Sequence, residues 1–260
     1  MNNHPIGVFD SGLGGLTVLQ DIQALLPHES LVYIADSAYA PYGEKDANDI
    51  VSRCLYIANT LIQQHKIKAL VVACNTATAV AIHTLREQLN IPVIGMEPAI
   101  KPAVDITESG VVGVLATENT LKSDKFSNLL DAHQHKARII TQPCFGLVEA
   151  IEQGESESES TRQLLSKYVM LMLDEAVDTI VLGCTHYPLI EPLLRKLVGE
   201  QVHIMSTGVA VAKQLKSQLQ NMDAGAKGTA LFYTSGDATK VGDLASKFLN
   251  HKVDFQGLVV

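Results

Sequence analysis

Cysteine works as a base or nucleophile only as the thiolate, and two of the four cysteines in this chain stand where a thiolate could be used. Ala69-Leu-Val-Val-Ala-Cys74-Asn-Thr and Thr179-Ile-Val-Leu-Gly-Cys184-Thr-His are each a short apolar run that ends in a cysteine followed at once by polar residues. The loop at the carboxyl end of a buried parallel strand opens into the ligand crevice, so each thiol is expected where chemistry is done. A free thiol has a pKa of about 8.5 and needs a partner or a helix N-terminus to ionise. Asn75 and Thr76 can cap a helix after Cys74, and Thr185 and Pro188 suit the start of one after Cys184. Both thiols are therefore expected beside the positive end of a helix dipole, whose N–H groups could also hold a carboxylate. Two like thiols in two like settings fit a reaction with two like faces. Inverting a carbon acid is such a reaction, because one base removes a proton from one side and its twin returns one to the other.

Other polar residues fall at loops of the same kind. Asp10-Ser11-Gly12-Leu13-Gly14-Gly15 follows the first strand-like run and matches neither G-x-G-x-x-G nor G-x-x-x-x-G-K-[ST], so it is no nucleotide-binding loop. Its glycines allow close backbone approach and set an acid and a hydroxyl at the crevice, although Asp10 would serve equally as the cap of an ordinary turn. His186, two residues after Cys184, can exchange a proton near neutral pH. Pro41-Tyr42-Gly43 offers a rigid turn with a phenol and a bare backbone amide. Cys54, in a helical stretch, and Cys144 read as small buried hydrophobes. Glu152 to Glu159, with Gly and alternating Ser and Glu, reads as a solvated surface loop rather than a metal site.

These residues need a frame, and the apolar pattern supplies one. Strand-like runs recur at 6–9, 31–35, 70–73, 93–96, 111–116, 138–141, 179–182, 202–205 and 230–233, with amphipathic stretches between them at 47–64, 77–89, 161–176 and 208–220. Continuously apolar strands alternating with helices indicate parallel sheets covered on both faces, the α/β class, and the strand count suits two sheets better than one. Ile6-Gly-Val-Phe-Asp10-Ser11 resembles Val112-Gly-Val-Leu-Ala116-Thr117, and each precedes a cysteine-bearing strand by a similar distance. The chain is thus expected to form two similar doubly wound lobes facing each other across a cleft. The proline pair Pro98 and Pro102 marks the end of the first lobe near Glu97. From about Thr207 onward the sequence pattern fits a return to either lobe.

Composition narrows the function. The 260 residues, 47% of them hydrophobic, can bury a substantial core, and a net charge of −8 without basic clusters disfavours nucleic acid as a partner. A small-molecule ligand is the expected partner. No run approaches the roughly 18 to 20 apolar residues of a membrane span, and Met1 to Pro5 lacks the layout of a signal peptide, so the expected compartment is the cytoplasm. The four cysteines are far apart with no C-x-x-C, which disfavours zinc and thioredoxin-type sites, and they are expected as free thiols.

Taken together, Asp10-Ser-Gly-x-Gly-Gly15, Ala40-Pro-Tyr-Gly43, Val71-Val-Ala-Cys-Asn-Thr76 and Leu182-Gly-Cys-Thr-His-Tyr-Pro188, in this order, resemble the cofactor-independent aspartate/glutamate racemase family over nearly the whole chain. The resemblance implies two α/β lobes with the active site between them, 1–97 and 98–206, with 207–260 packing back on the first. It implies Cys74 and Cys184 as acid and base, with no cofactor and no metal, Cys74 serving the D enantiomer and Cys184 the L. Asp10 is implied to assist Cys74 and His186 to assist Cys184. Asp10, Ser11, Tyr42, Gly43, Asn75, Thr76, Thr117, Thr185 and His186 are implied as contacts to the substrate or supports of the thiols. A family carboxylate falls on Glu152, in a segment that departs from the commoner Cys-Pro-Leu form. The Thr117-Glu-Asn-Thr120 turn carries Asn119 where Gly is usual. Glutamate is the implied substrate, for peptidoglycan synthesis, with a homodimer and activation by a cell-wall precursor as further features of the family. Aspartate is the runner-up substrate, because one methylene gives only about 1 to 3 kcal/mol of discrimination. Outside the family, a two-thiol redox or ligand-sensing protein and a cysteine hydrolase remain as alternatives.

Overall fold

A computed structural model describes residues 4–219 and 226–258. The first part of the chain runs β1 (Ile6–Asp10), α1 (Leu16–Leu25), β2 (Leu31–Ala35), α2 (Ala47–His65), β3 (Ala69–Val72), α3 (Asn75–Gln88) and β4 (Val93–Ile94). It continues with α4 (Ile100–Ile106), β5 (Val111–Ala116), α5 (Glu118–Lys122), α6 (Asp124–His133), β6 (Arg138–Pro143), α7 (Leu147–Glu152) and α8 (Glu159–Asp174). Then come β7 (Thr179–Gly183), α9 (Glu191–Val198), β8 (His203–Met205), α10 (Gly208–Gln218), β9 (Ala230–Thr234), α11 (Ala238–Leu249) and β10 (Phe255–Gly257).

The strands form two all-parallel sheets, β10-β9-β2-β1-β3-β4 and β6-β5-β7-β8. The α/β class and the division into two sheets are as the sequence pattern indicates. Four strands of the first sheet, β2-β1-β3-β4, repeat the order of the whole second sheet, so the faint repeat is a repeat of topology. Gly7 pairs with Val32 and Leu70, and Gly113 with Ile140 and Ile180, each on the central strand of its unit. The strands are covered on both faces, which is why every residue of β1, β2 and β7 is buried and their sequences run apolar without alternation.

On one face of the first sheet Ile6, Val8, Tyr33 and Val71 pack with Leu19 and Ile22 of α1 and with Val211, Ala212 and Leu215 of α10. On the other, Phe9, Ile34 and Val72 pack with Ile57 and Leu61 of α2 and Ala81 of α3. In the second sheet Leu115, Ile180 and Leu182 face α7, α8 and α9, while Val112, Val114 and Val181 face α4 and α6.

Three local expectations need correction. Pro102 does not interrupt the chain: it lies in the first turn of α4, where its missing N–H has no partner to lose. The stretch from Glu152 to Glu159 is not all loop, because Glu152 ends α7, Glu159 begins α8, and Ser158 caps α8 through a bond from Thr161 N. Helix α10 stops at Gln218, and the expected end at Gln220 lies outside the described residues. Strand β10, three residues long, is too short to show an apolar period and went unread. Among the described residues no helix is long and apolar enough to cross a membrane.

Candidate active site

The loops after β1, β3, β5 and β7 meet between the two sheets, and they bring the expected residues together. Cys74 and Cys184 are 5% and 7% exposed, so both thiols are almost sealed from water. Asp10, Ser11, Asn75, Thr76, Thr117, Thr185 and His186 are buried as well. All four cysteines are free thiols.

The two thiols have different surroundings. Cys74 is itself the N-cap of α3, and its sulfur accepts the Ala77 N–H at 3.4 Å, so the helix start is contributed by the cysteine rather than by Asn75 or Thr76. Ser11 Oγ lies 3.7 Å from Cys74 Sγ. The Asp10 carboxylate does not bond to the thiol; it accepts from Ser11 N at 2.8 Å and from Gly15 N at 2.7 Å and so holds the serine in place. Burial pushes the Cys74 thiol well above its ordinary pKa and the nearby Asp10 charge adds to this, while the Ala77 N–H opposes it. Burial likewise raises Asp10, against the opposing charge of His186. Cys74 is thus held as a thiol in the free protein.

No α-helix begins at Cys184. A short 3-10 turn, Tyr187–Ile190, follows it, and α9 starts only at Glu191. A helix running on from Thr185 would need an N–H at Pro192 to donate to the Pro188 carbonyl, and proline has none. The partner that replaces the helix end is His186, whose Nδ1 lies 3.7 Å from Cys184 Sγ. On its far side Nε2 lies 2.6 Å from Glu152 Oε1, an oxygen that also accepts the Leu13 N–H at 2.6 Å. Burial works against the imidazolium, but the hydrogen bonds to Cys184 and Glu152 outweigh it and hold the His186 pKa well above the ordinary histidine range. Burial also works against ionised Glu152, and the bond to and charge of His186, together with the Leu13 N–H and the charge of Lys240, outweigh it, leaving its carboxyl below the usual range. An imidazolium donating through Nδ1 and Nε2 satisfies the Cys184 and Glu152 contacts together, and the Gly14 N–H, 3.3 Å from Nε2, points at the same nitrogen. The sequence pattern suggested two matched thiols; the structure sets a helix cap beside one and a charged relay beside the other.

The glycines of the first loop acquire a specific reason. A Cβ on Gly12 would lie 2.0 Å from Glu152 Oε1, and one on Gly14 would lie 2.4 Å from His186 Nδ1 and 2.6 Å from the His186 backbone nitrogen. They let the relay of the second lobe seat on the backbone of the first. Tyr33 fixes this loop by donating to the Gly12 carbonyl at 2.8 Å.

Opposite the relay, Thr76 and Thr117 hydroxyls meet at 2.8 Å across the lobes, and Thr120 lies 2.9 Å from Thr117. Asn75 is buried with neither side-chain polar atom partnered, a cost of roughly 1 to 3 kcal/mol that a bound polar group would relieve. Thr185 lies against Gly14, and its carbonyl accepts from Thr17 Oγ1 at 3.3 Å. The Tyr42 phenol donates to Asp36 at 2.5 Å inside the core cluster that also holds Cys74, which leaves the main chain of Tyr42–Gly43 for a ligand.

Asp36, Arg53, Asn119 and Thr120 support this site and were not singled out as site residues from the sequence. Asp36 directly follows β2 much as Asp10 ends β1, a signal that could have been read; Arg53 gives none, and Asn119 showed only as a departure from Gly, since its partners are distant in the chain.

The chain matches the family model described as Asp/Glu/hydantoin racemase over residues 6–215. It is 53% identical over 241 residues to the glutamate racemase of Ectopseudomonas mendocina, covering 91% of each chain. Among solved structures, glutamate racemase isoform RacE1 of Bacillus anthracis superposes with a TM-score of 0.90 at 32% identity, covering 100% of this chain and 99% of that one. The Escherichia coli glutamate racemase, solved in complex with L-glutamate and the activator UDP-MurNAc-ala, gives a TM-score of 0.88 at 30% identity, covering 99% of each.

Proposed function

The chain belongs to the Asp/Glu/hydantoin racemase family and interconverts the two enantiomers of glutamate, and we propose that Cys74 and Cys184 are the two acid–base groups that do it. The observation that carries this reading is the position of the thiols: each follows the strand next to the central one of its sheet unit, β3 beside β1 and β7 beside β5, and the two like frames bring them near enough that the charge of Cys184 bears on Cys74.

The chemical difficulty is that an amino-acid Cα–H is a far weaker acid than a thiol. Water exclusion strengthens every donor aimed at the developing carbanion, and fixed hydrogen bonds to the carboxylate spread its charge. Asn75, Thr76 and Thr117 are suited to that task by their buried amide and hydroxyl groups, with Ser11, Thr185 and the Gly43 N–H completing the set around a dicarboxylate. In the free protein Cys74 stays a thiol, and the His186 imidazolium faces the Cys184 sulfur. This state is ready for L-glutamate: Cys184 takes the Cα proton, and Cys74 delivers its own to the opposite face. The product state, with the protonation reversed, is ready for the D enantiomer. Asp10 acts through Ser11 on the Cys74 side, and Glu152 through His186 on the other.

The lobes divide on this reading into 1–97 with 207–260, and 98–206. D-Glutamate made here would feed peptidoglycan synthesis in the cytoplasm. The activator bound by the E. coli relative makes a cell-wall precursor a natural regulator of this chain, and a homodimer remains the proposed assembly. Racemisation of L-glutamate in deuterium oxide tests the mechanism: D-glutamate should carry deuterium at Cα, because each thiol exchanges with solvent between turnovers. Full retention of the original proton would exclude two exchanging thiols.

A further inference from the structure

The two lobes are joined across the cleft by a polar contact that lies beside the thiols without touching them. Thr117 caps helix α5, whose second residue, Asn119, reaches over to the first lobe. The Asn119 side-chain amide donates to the Tyr42 carbonyl at 3.0 Å and to the Lys45 carbonyl at 2.9 Å. Those two residues bracket a single 3-10 turn, Tyr42–Glu44, which is closed by Lys45 N–H donating to the same Tyr42 carbonyl at 3.2 Å. The amide of Asn119 therefore grips the turn at both ends.

The peptide bond is planar and trans, so pinning the Tyr42 carbonyl also fixes the Gly43 N–H, which points the opposite way. Two further contacts hold this peptide from the sides. The Tyr42 phenol is anchored to Asp36, whose carboxylate is paired to Arg53 at 2.7 Å, and the Arg53 guanidinium stacks at 3.8 Å on the Tyr39 ring. On the other side Gly43 is pressed against Thr117, where a Cβ would lie 3.0 Å from that of the threonine. One turn of chain in the second lobe, Thr117 to Thr120, thus supplies a hydroxyl to the site, a hydroxyl bridge toward Thr76, and the clamp on Tyr42–Gly43.

We propose that Asn119 is a positioning residue: by clamping the Tyr42–Gly43 turn across the lobes, it aims the Gly43 N–H at a substrate carboxylate. This rests on the reading above in which Gly43 N–H is one of the carboxylate donors. Asn119 touches no reacting atom, so its contribution is to carboxylate binding.

The test uses the full chain with Asn119→Asp, which keeps the shape but replaces the donor by an acceptor facing two carbonyls, and Asn119→Ala, which removes it. KM for glutamate should rise about tenfold in both directions, the size of one lost hydrogen bond, with kcat changed less. Enantiomers have equal free energy in water, so kcat/KM must fall by the same factor for L- and D-glutamate. The inhibition constant of glutarate, a dicarboxylate with no reacting centre, should weaken in parallel. Unchanged KM and glutarate binding in both variants would overturn the proposal, as would a loss confined to kcat. The Gly43 amide resonance separates this failure from that of the underlying reading. In the wild type it should move on adding glutarate, and if it does not, Gly43 is no carboxylate donor. If it moves equally in Asn119→Asp, the donor stands and Asn119 does not aim it.

Discussion

The Glu152 carboxylate lies 2.6 Å from Nε2 of His186, and the two come from different turns of the second lobe, α7 and the loop after β7. Because the same histidine faces Cys184 through Nδ1 at 3.7 Å, the carboxylate controls whether the ring carries the second proton that a thiolate partner needs. Glu152→Gln removes that control. The folded-state pKa of His186 is raised, so its imidazolium is lost only as pH rises through that raised value. Without the carboxylate the pKa falls, and the alkaline limb of the pH–rate profile should move to lower pH with the acidic limb less affected. An alkaline limb that stays in place would separate His186 ionisation from catalysis.

The glycine loop gives a steric prediction. Gly14→Ala sets a methyl 2.6 Å from the His186 backbone nitrogen, which cannot rotate away. Activity should fall at least about a hundredfold, since a displacement of roughly 1 Å in a catalytic group has that effect. Gly12→Ala meets only the end of the Glu152 side chain and should reproduce the pH shift of Glu152→Gln. Wild-type kinetics in Gly14→Ala would show that the lobes do not need this contact.

Single-cysteine variants separate the two faces. Cys74→Ser and Cys184→Ser should each abolish racemisation, since an alcohol is too weak an acid to replace either thiol. A glutamate analogue with a leaving group at Cβ needs only the deprotonation step. Cys74→Ser should therefore still eliminate from the L form, and Cys184→Ser from the D form; loss of the leaving group gives an enamine that water hydrolyses to 2-oxoglutarate and ammonia, and their release is the assay. Loss of both activities in both variants would mean one coupled nucleophile, as in a hydrolase.

Stability offers a fourth check. The Asp36 carboxylate is fully buried, and Arg53 is its charged partner at 2.7 Å. Arg53→Met leaves that charge with the Tyr42 phenol alone. Stability should fall by about 3 kcal/mol, or roughly 6 to 12 °C in Tm. A variant melting with the wild type would mean that the Arg53–Asp36 pair adds nothing to stability.

The α/β class, the two-sheet division and both thiols at strand ends were legible in the sequence because each depends on local order. An apolar run buried on both faces has no alternation, and the residue after it lies at the sheet's carboxyl edge whatever the rest of the fold does. The same locality explains the readings that needed correction. Glu152 looked like the first residue of a polar loop, and only the approach of His186 and the Leu13 N–H, far away in the chain, makes it a buried carboxylate. Nothing in the residues around Tyr42 shows that the fold brings its phenol to Asp36. The likeness of the two cysteine segments hid their difference, because Cys74 finds its helix N–H three residues on, within its own segment, while the charge set beside Cys184 depends on Glu152 of another segment. Residue order alone determined which groups could do the chemistry. Tertiary structure decided their protonation, because burial and charged neighbours are properties of packed space rather than of neighbouring positions in a chain.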